Sequence, residues 1–455
     1  MLDCTNLLIQ VKALLQRCRL NTTLSGQLAR TLADSQPGSD ERQRAREGVI
    51  DYFACLLPVQ LGLLRDSGLT SVRKVFPAAR STENHALQLG YMSHALDFDD
   101  YHATFRGHPT TVVLSTLLAV LANHPRLTFE NFLDAYVVGV ELAGRLGKAI
   151  GTRHYAAGLH STATLGVIAA TGAACRLLRL TPEQSETALG LAATQASGLR
   201  AQFGSAAKAL HAGLAARGAI NSVELARAGF AAQRHGVLEA FLAALGYGVE
   251  RPDDLLAGWG APWRIIAPGL EFKRYPTCGG THSAAEAAFV LRERLGADLH
   301  TVQHIEVSFP PGADTAPNII APINGVQARF SLEYVIADAL LNGAISLERY
   351  GEEPVDTQIA ALAARVKRVP DPRAPADELD PDRRFHRVTL FMADGTSHSH
   401  CVTRMETAAA PTDVLAKLRT NLRSLPEARL AAISGDLQLA DDAALHRLAS
   451  LISCQ

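Results

Sequence analysis

TFENFLDAYVVGVELAGRLGKAI, residues 128–150, sets Phe129, Phe132, Tyr136, Val140 and Leu146 at helical spacing. Such a stripe buries one face of an amphipathic helix, and Thr128 stands where a side-chain oxygen caps the first turn. The same periodicity runs on both sides, from residue 5 to about residue 265. Thr181-Pro182-Glu183-Gln184 joins a cap, a first-turn proline and a capping-box glutamine ahead of ETALGLAATQAS. Residues 161–175 and 206–230 are dense in Ala and Gly. Small side chains let helix axes approach, so these two stretches are expected at the centre.

The pattern changes near Pro268. HIEVSF (304–309) alternates as a strand and is closed by Pro310-Pro311-Gly312. HRVTLFM (386–392) and SHSHCVTRM (397–405) flank Ala393-Asp394-Gly395-Thr396, which predicts a hairpin with a two-residue Asp-Gly loop. Between them SLEYVIADALLNG (331–343) is helical, and VPDPRAPADELDPD (369–382) reads as an exposed connection. After Pro411 helical periodicity returns, with Thr412 as the expected cap of DVLAKLRTNL. The expected fold is therefore mainly α: an all-helical domain over 1–267, an α+β domain over 268–404, and C-terminal helices over 405–455 that rejoin the first domain.

Composition narrows the class. A chain of 455 residues with 47% hydrophobic and 20% charged residues carries a sizeable core and more than one domain. Its formal net charge of -1 provides no global field for nucleic acid or an anionic membrane, so an anionic ligand must be held by local cations. The start MLDCTNLLIQVKALLQRC lacks the pattern of a secretory signal, and no run is apolar enough to span a bilayer, so a soluble cytoplasmic protein is expected. Seven scattered cysteines without a CxxC pair argue against zinc, iron–sulfur and disulfide frameworks. All but Cys278 are expected as small buried hydrophobes.

Four stretches carry chemistry. HALDFDDYHATFRGHPTT (94–111) packs three acids and three histidines between apolar runs. Asp97 and Asp100 share a face if the helix from about Ser81 extends that far, with Asp99 pointing elsewhere. Clustered carboxylates raise one another's pKa, although acids also simply end helices. His108-Pro109 opens the next helix, which suits either an anion site or a structural cap. In RHYAAGLHSTATLG (153–166), Tyr155 and His160 lie in a turn before a helix capped by Ser161 or Thr162. In QFGSAAKALHAGLAARGA (202–219), Lys208 and His211 interrupt a small, apolar helix. A lysine there is an ion-pair partner or an acid–base group. FKRYPTCGGTHSAAEAA (272–288) sets two cations, Lys273 among them, before Gly279-Gly280 and His282. Cys278 beside His282 is a nucleophile candidate, but a small residue fitting a tight turn explains it better.

These stretches, in this order over some 190 residues, resemble the MmgE/PrpD family, which includes 2-methylcitrate dehydratase, cis-aconitate decarboxylase and iminodisuccinate epimerase. The resemblance implies a large helical domain completed by the C-terminus, a smaller α+β lid, a homodimer, and catalysis without metal or organic cofactor. Likeness to the decarboxylase implies that Asp97, His108, His160, Lys208 and His282 surround the substrate. Likeness to the epimerase implies Tyr155 and Lys208 as an acid–base pair. Tyr101, His102, His211, Lys273 and Cys278 are expected to bind the substrate. Tyr101 stands where the family often has Thr, and the Asp97–His108 loop is one residue longer than in the decarboxylase; both changes bear on substrate choice.

The family's reactions develop charge on a carbon beside a carboxylate, and fixed cations and hydrogen bonds in a closed pocket stabilise it. Lys208, His108, His160 and His282 are expected to provide a positive field for a small di- or tricarboxylate. Lys208 or Tyr155 would move the proton, His160 would assist as acid, and Asp97 would orient a histidine. A lyase of the 2-methylcitrate dehydratase type is the first expectation, with decarboxylase and epimerase as alternatives and a non-catalytic carboxylate-binding protein as a more remote one. The Asp-rich magnesium sites of terpene synthases offer a rival reading, but no second metal motif follows downstream.

Overall fold

A computed structural model describes residues 23–78, 81–124, 126–309, 316–374, 383–439 and 441–453. The N-terminal segment with Cys4 and Cys18, the Pro310-Pro311-Gly312 turn and Cys454 lie outside the described residues.

The helical part is built around α1 (Ser39–Gln60), α2 (Thr82–His94), α3 (Pro109–Leu121), α4 (Phe129–Ile150), α5 (Gly166–Leu177), α6 (Pro182–Ala193) and α7 (Ala206–Arg227). The local signals act as read: Thr128 Oγ1 accepts from the Asn131 amide, and Thr181 with Gln184 forms the capping box. The helix after His160 differs from expectation. His160 itself occupies its cap position without a side-chain cap bond, and Thr162 Oγ1 instead accepts from the His108 amide at 3.1 Å.

α2 and α7 cross closely because glycine meets glycine. A Cβ on Gly90 would stand 2.8 Å from the Gly213 Cα. This approach brings Lys208, near the start of α7, to the end of α2, where His94 and the acidic loop lie. Helical structure stops earlier than the periodicity suggests: beyond Gly246 the chain winds through short turns as far as His282. Glu141 and Arg145 of α4 hold that winding segment. Arg145 donates to the carbonyls of Ala257 and Gly258, and Glu141 accepts from the amides of Gly260 and Arg264.

The α+β part has its own core. Ala284, Ala287 and Leu291 of α8 (His282–Leu295) and Leu332, Ile336 and Leu340 of α9 (Leu332–Asn342) pack against Ile305, Val307, Val388 and Leu390. These last lie on a four-stranded sheet of β1 (Val302–Phe309), β2 (Val366–Pro370), β3 (Phe385–Met392) and β4 (Ser397–Thr403), in the order β2-β1-β3-β4. β1 pairs parallel with β2 (Ile305 opposite Val366) and antiparallel with β3 (Val307 opposite Val388), and β3 pairs antiparallel with β4. β2 ends on Val369 and Pro370, the first two residues of the stretch read as an exposed connection. The hairpin forms with a three-residue loop rather than a two-residue one: Gly395 takes a positive φ of 85° and Met392 bonds to the Thr396 carbonyl.

After Pro411 the chain returns to the first core through α10 (Val414–Asn421), α11 (Glu427–Leu439) and α12 (Asp442–Ile452), which bury Leu418, Leu437, Leu445 and Leu448 there. Asp413, not Thr412, caps α10, because Thr412 Oγ1 donates to the Phe272 carbonyl. Cys55 and Cys175 are buried as expected, whereas Cys401 is only half-buried. Among the described residues no helix is long and apolar enough to cross a membrane.

Candidate active site

α2 ends at His94, and the chain turns through Asp97, whose φ of 50° lies in the left-handed region. That turn breaks the helical phase on which the Asp97–Asp100 pairing rested. Asp97 faces the site and Asp99 lies behind it against His94, whereas Asp100 turns back into the helical core and accepts a hydrogen bond from Thr110. Burial pushes the Asp100 carboxyl well above its ordinary range, which favours its neutral form.

Asp97 Oδ1 accepts from Lys208 Nζ at 2.7 Å and Lys273 Nζ at 2.9 Å, and Lys273 also donates to the Asp97 carbonyl at 2.8 Å. All three residues are buried. Burial works against the Asp97 charge, yet the two ammonium groups prevail and hold it well below the usual carboxylate range. Burial lowers Lys208, and Asp97 partly restores it. Asp97 therefore serves the lysines rather than a histidine. The carboxylate that orients an imidazole is Asp99, which meets His94 Nδ1 at 2.8 Å and 3.0 Å. His94 Nε2 lies 3.0 Å from Lys208 Nζ.

Asp97, Lys208 and Lys273 form the floor of a cavity of about 130 Å³ between the two cores. Tyr101, His108, Tyr155, His160, Lys208, Lys273, Cys278 and His282 all line it. His108 Nδ1 donates to the Asp100 carbonyl at 2.5 Å, and His282 Nε2 donates to the Thr277 carbonyl at 3.3 Å. Asp97 Oδ2 and His160 Nε2 are buried with no hydrogen-bond partner among the described residues. Two expected residues stand elsewhere. His102 bonds the Arg264 carbonyl at 3.0 Å and accepts from the Phe105 amide, which holds the turn and keeps it off the cavity wall. His211 sits behind His160, Nδ1 to Nδ1 at 3.2 Å. The Cys278 amide bonds the Arg329 carbonyl, and the Cys278 carbonyl accepts from the Thr281 amide in a tight turn.

The source of positive charge is also corrected. Burial first, and the lysines second, hold His108 and His160 well below the ordinary imidazole value, and His282 falls to about 3. These rings are neutral near pH 7 and act as hydrogen-bonding groups. The field comes from Lys208 and Lys273 on the floor and from Arg106, Arg274, Arg384 and Arg404 on the walls, against Asp97 and Glu271. Sequence reasoning turned Asp99 away from the site, counted Arg274 only as a second cation beside Lys273, and passed over His94, Arg106, Arg384 and Arg404. His94 was legible as the basic end of a helix beside three acids; Arg384 and Arg404 carry no local signal.

His94, Asp97, Asp99 and His108 offer ligand atoms within 4.8 Å of one another. A divalent cation among them would meet the two ammonium groups already on Asp97, which disfavours it by simple Coulomb repulsion. Beneath the floor, buried Lys417 of α10 donates to Asp51 at 2.6 Å, to the Phe98 carbonyl at 2.5 Å and to the Lys273 carbonyl at 3.2 Å. Asp51 raises the Lys417 pKa despite burial, so this lysine stays charged and pins the acidic loop to the Lys273 segment.

A buried lysine–carboxylate floor under a cationic cavity, walled by a helical core and a small α+β layer, defines the class. Residues 26–248 match the MmgE/PrpD N-terminal domain and residues 275–439 the MmgE/PrpD C-terminal domain, and the chain belongs to the MmgE/PrpD family. It is similar to the cis-aconitate decarboxylase of Aspergillus terreus, with 30% identity over 415 residues that cover 82% of this chain and 83% of that protein. The cis-aconitate decarboxylase of Mus musculus is 28% identical over 332 residues, covering 68% of this chain and 64% of the relative. That of Homo sapiens is 28% identical over 304 residues, covering 61% and 59%. With family and relatives of this kind, the chain is a lyase.

Proposed function

We propose that the chain decarboxylates a small unsaturated tricarboxylate, cis-aconitate or a close analogue. The observation that carries this reading is the buried Lys208 ammonium on the floor of a cavity whose walls hold four arginines. Three carboxylates need several fixed cations, and the arginines on the walls are placed to bind those that do not react. Breaking the carbon–carbon bond to the departing carboxylate sends its electron pair through the neighbouring double bond. Negative charge then appears on a carbon beside another carboxylate, and that carbon takes a proton. Lys208 supplies the proton and Lys273 stabilises the charge, in surroundings where water does not screen either. The names of the relatives, at about 30% identity, support the same substrate class.

Dehydration of the 2-methylcitrate type is the second reading. Tyr155 on the cavity wall, stacked under the Arg200 guanidinium at 3.7 Å, favours it, because elimination uses an acid and a base at separate positions. NMR of cis-aconitate, 2-methylcitrate, citrate and iminodisuccinate incubated in deuterated water tests the choice. The expected result is carbon dioxide from cis-aconitate with one deuterium in the product methylene. Lys208→Met should remain folded and lose roughly 10²–10⁴-fold in kcat. Loss of water from 2-methylcitrate alone, or near-normal turnover by the Met variant, would overturn the reading.

A further inference from the structure

His94 belongs to none of the roles assigned so far, yet it touches both Asp99 and Lys208. Its Nδ1 lies within hydrogen-bond distance of both Asp99 oxygens, and its Nε2 is 3.0 Å from Lys208 Nζ. Histidine and carboxylate are both fully enclosed, so neither bond is shared with solvent. Burial works against the Asp99 charge, but the hydrogen bond from His94 and the nearby Lys273 ammonium favour it and the carboxyl stays below its ordinary range, which makes Asp99 an acceptor only. The single proton of a neutral His94 therefore belongs on Nδ1, leaving a lone pair on Nε2.

An ammonium group has three hydrogens in fixed tetrahedral directions. Asp97 Oδ1 takes one at 2.7 Å, and the Nε2 lone pair can take a second. The Phe203 and Phe330 rings, 5.1 Å and 5.6 Å from Nζ, flank the ammonium and line the cavity. We propose that His94 is a positioning residue: locked by Asp99 in the Nδ1-protonated form, it fixes the rotation of the Lys208 ammonium so that the third hydrogen points into the cavity. This inference rests on the reading of Lys208 as the proton donor and adds how its proton is aimed.

Two variants separate aiming from packing. His94→Phe keeps a ring but removes the acceptor, whereas the amide oxygen of His94→Gln can reach the place of Nε2. With cis-aconitate, the Phe variant should lose roughly 10²-fold in kcat with KM nearly unchanged, as expected for a misdirected group. The Gln variant should regain most of that loss. Wild-type kcat in a folded Phe variant, or equal losses in both variants, would overturn the proposal. Nitrogen-15 NMR of histidine-labelled wild-type protein, with His94 assigned through the Gln variant, reads the tautomer without any substrate. A protonated Nδ1 with a bare Nε2 is expected, and a protonated Nε2 sinks the proposal. If the wild-type chain releases no carbon dioxide from cis-aconitate, the proposed function falls, while the tautomer still decides this inference.

Discussion

Two ammonium groups on one oxygen of Asp97 leave the floor of the cavity with net positive charge, and the backbone there makes the arrangement testable. Asp97 has a left-handed φ, a conformation that Asn tolerates about as well as Asp. Asp97→Asn therefore removes the charge while leaving the turn intact. Lys208 then loses the carboxylate that most favours its charged form, while burial and Lys273 continue to act against it, so its pKa falls further. A proton-donating lysine loses activity as pH rises through its pKa. The descending limb of the kcat profile should accordingly move to lower pH by roughly 1–3 units in the Asn variant. An unmoved limb would show that Lys208 is not the group that titrates. The left-handed turn also explains what the sequence hid. Spacing of three placed Asp97 with Asp100, and one residue outside helical geometry exchanged Asp100 for Asp99.

Lys208 reaches Asp97 only because α2 and α7 pass at glycine distance. A methyl on Gly213 would collide with the Leu87 carbonyl, which is backbone and cannot rotate away. Replacing a helical glycine with alanine ordinarily gains about 0.5–1 kcal/mol, whereas overpacking costs roughly 1–3 kcal/mol. The second effect is larger here, so Gly213→Ala should lower unfolding stability and, by pushing Lys208 away, reduce kcat. Gly435 of α11 has open space around its Cβ position, and Gly435→Ala should be neutral or stabilising with unchanged activity. Urea unfolding and steady-state kinetics on both variants check the pair, and a stabilised Gly213→Ala protein would contradict the close crossing. The Ala and Gly density of α7 made this packing legible. β2 was not legible, because its exposed edge residues and Pro370 look like a loop until β1 lies beside them. Nor was Lys417, whose partners are set by the return of the C-terminal helices and leave no mark nearby in the chain.

Eight histidines, His85, His94, His102, His108, His154, His160, His282 and His386, are buried across both cores. Burial lowers the pKa of each, to about 4 for His102 and His154 and about 3 for His282. In the unfolded chain they titrate near 6.5. Between those limits the unfolded state binds protons that the folded state refuses, so stability is present above pH 6.5 and is lost as pH falls. Each fully enclosed ring contributes about 1.4 kcal/mol per pH unit once the pH is below 6.5. Asp100 opposes this, since its raised pKa makes the folded state hold a proton that the unfolded chain gives up. Asp97 and Asp99, with lowered pKa values, matter only near pH 4 and below. Several uncompensated imidazoles remain, against a total stability of roughly 5–15 kcal/mol for a typical domain. Urea unfolding should therefore show a loss of several kcal/mol from pH 6.5 to 5.5, with an unchanged dependence on denaturant. A flat profile down to pH 5 would mean that the rings are already protonated in the folded protein. A bound tricarboxylate favours the folded state by mass action and should shift the transition to lower pH.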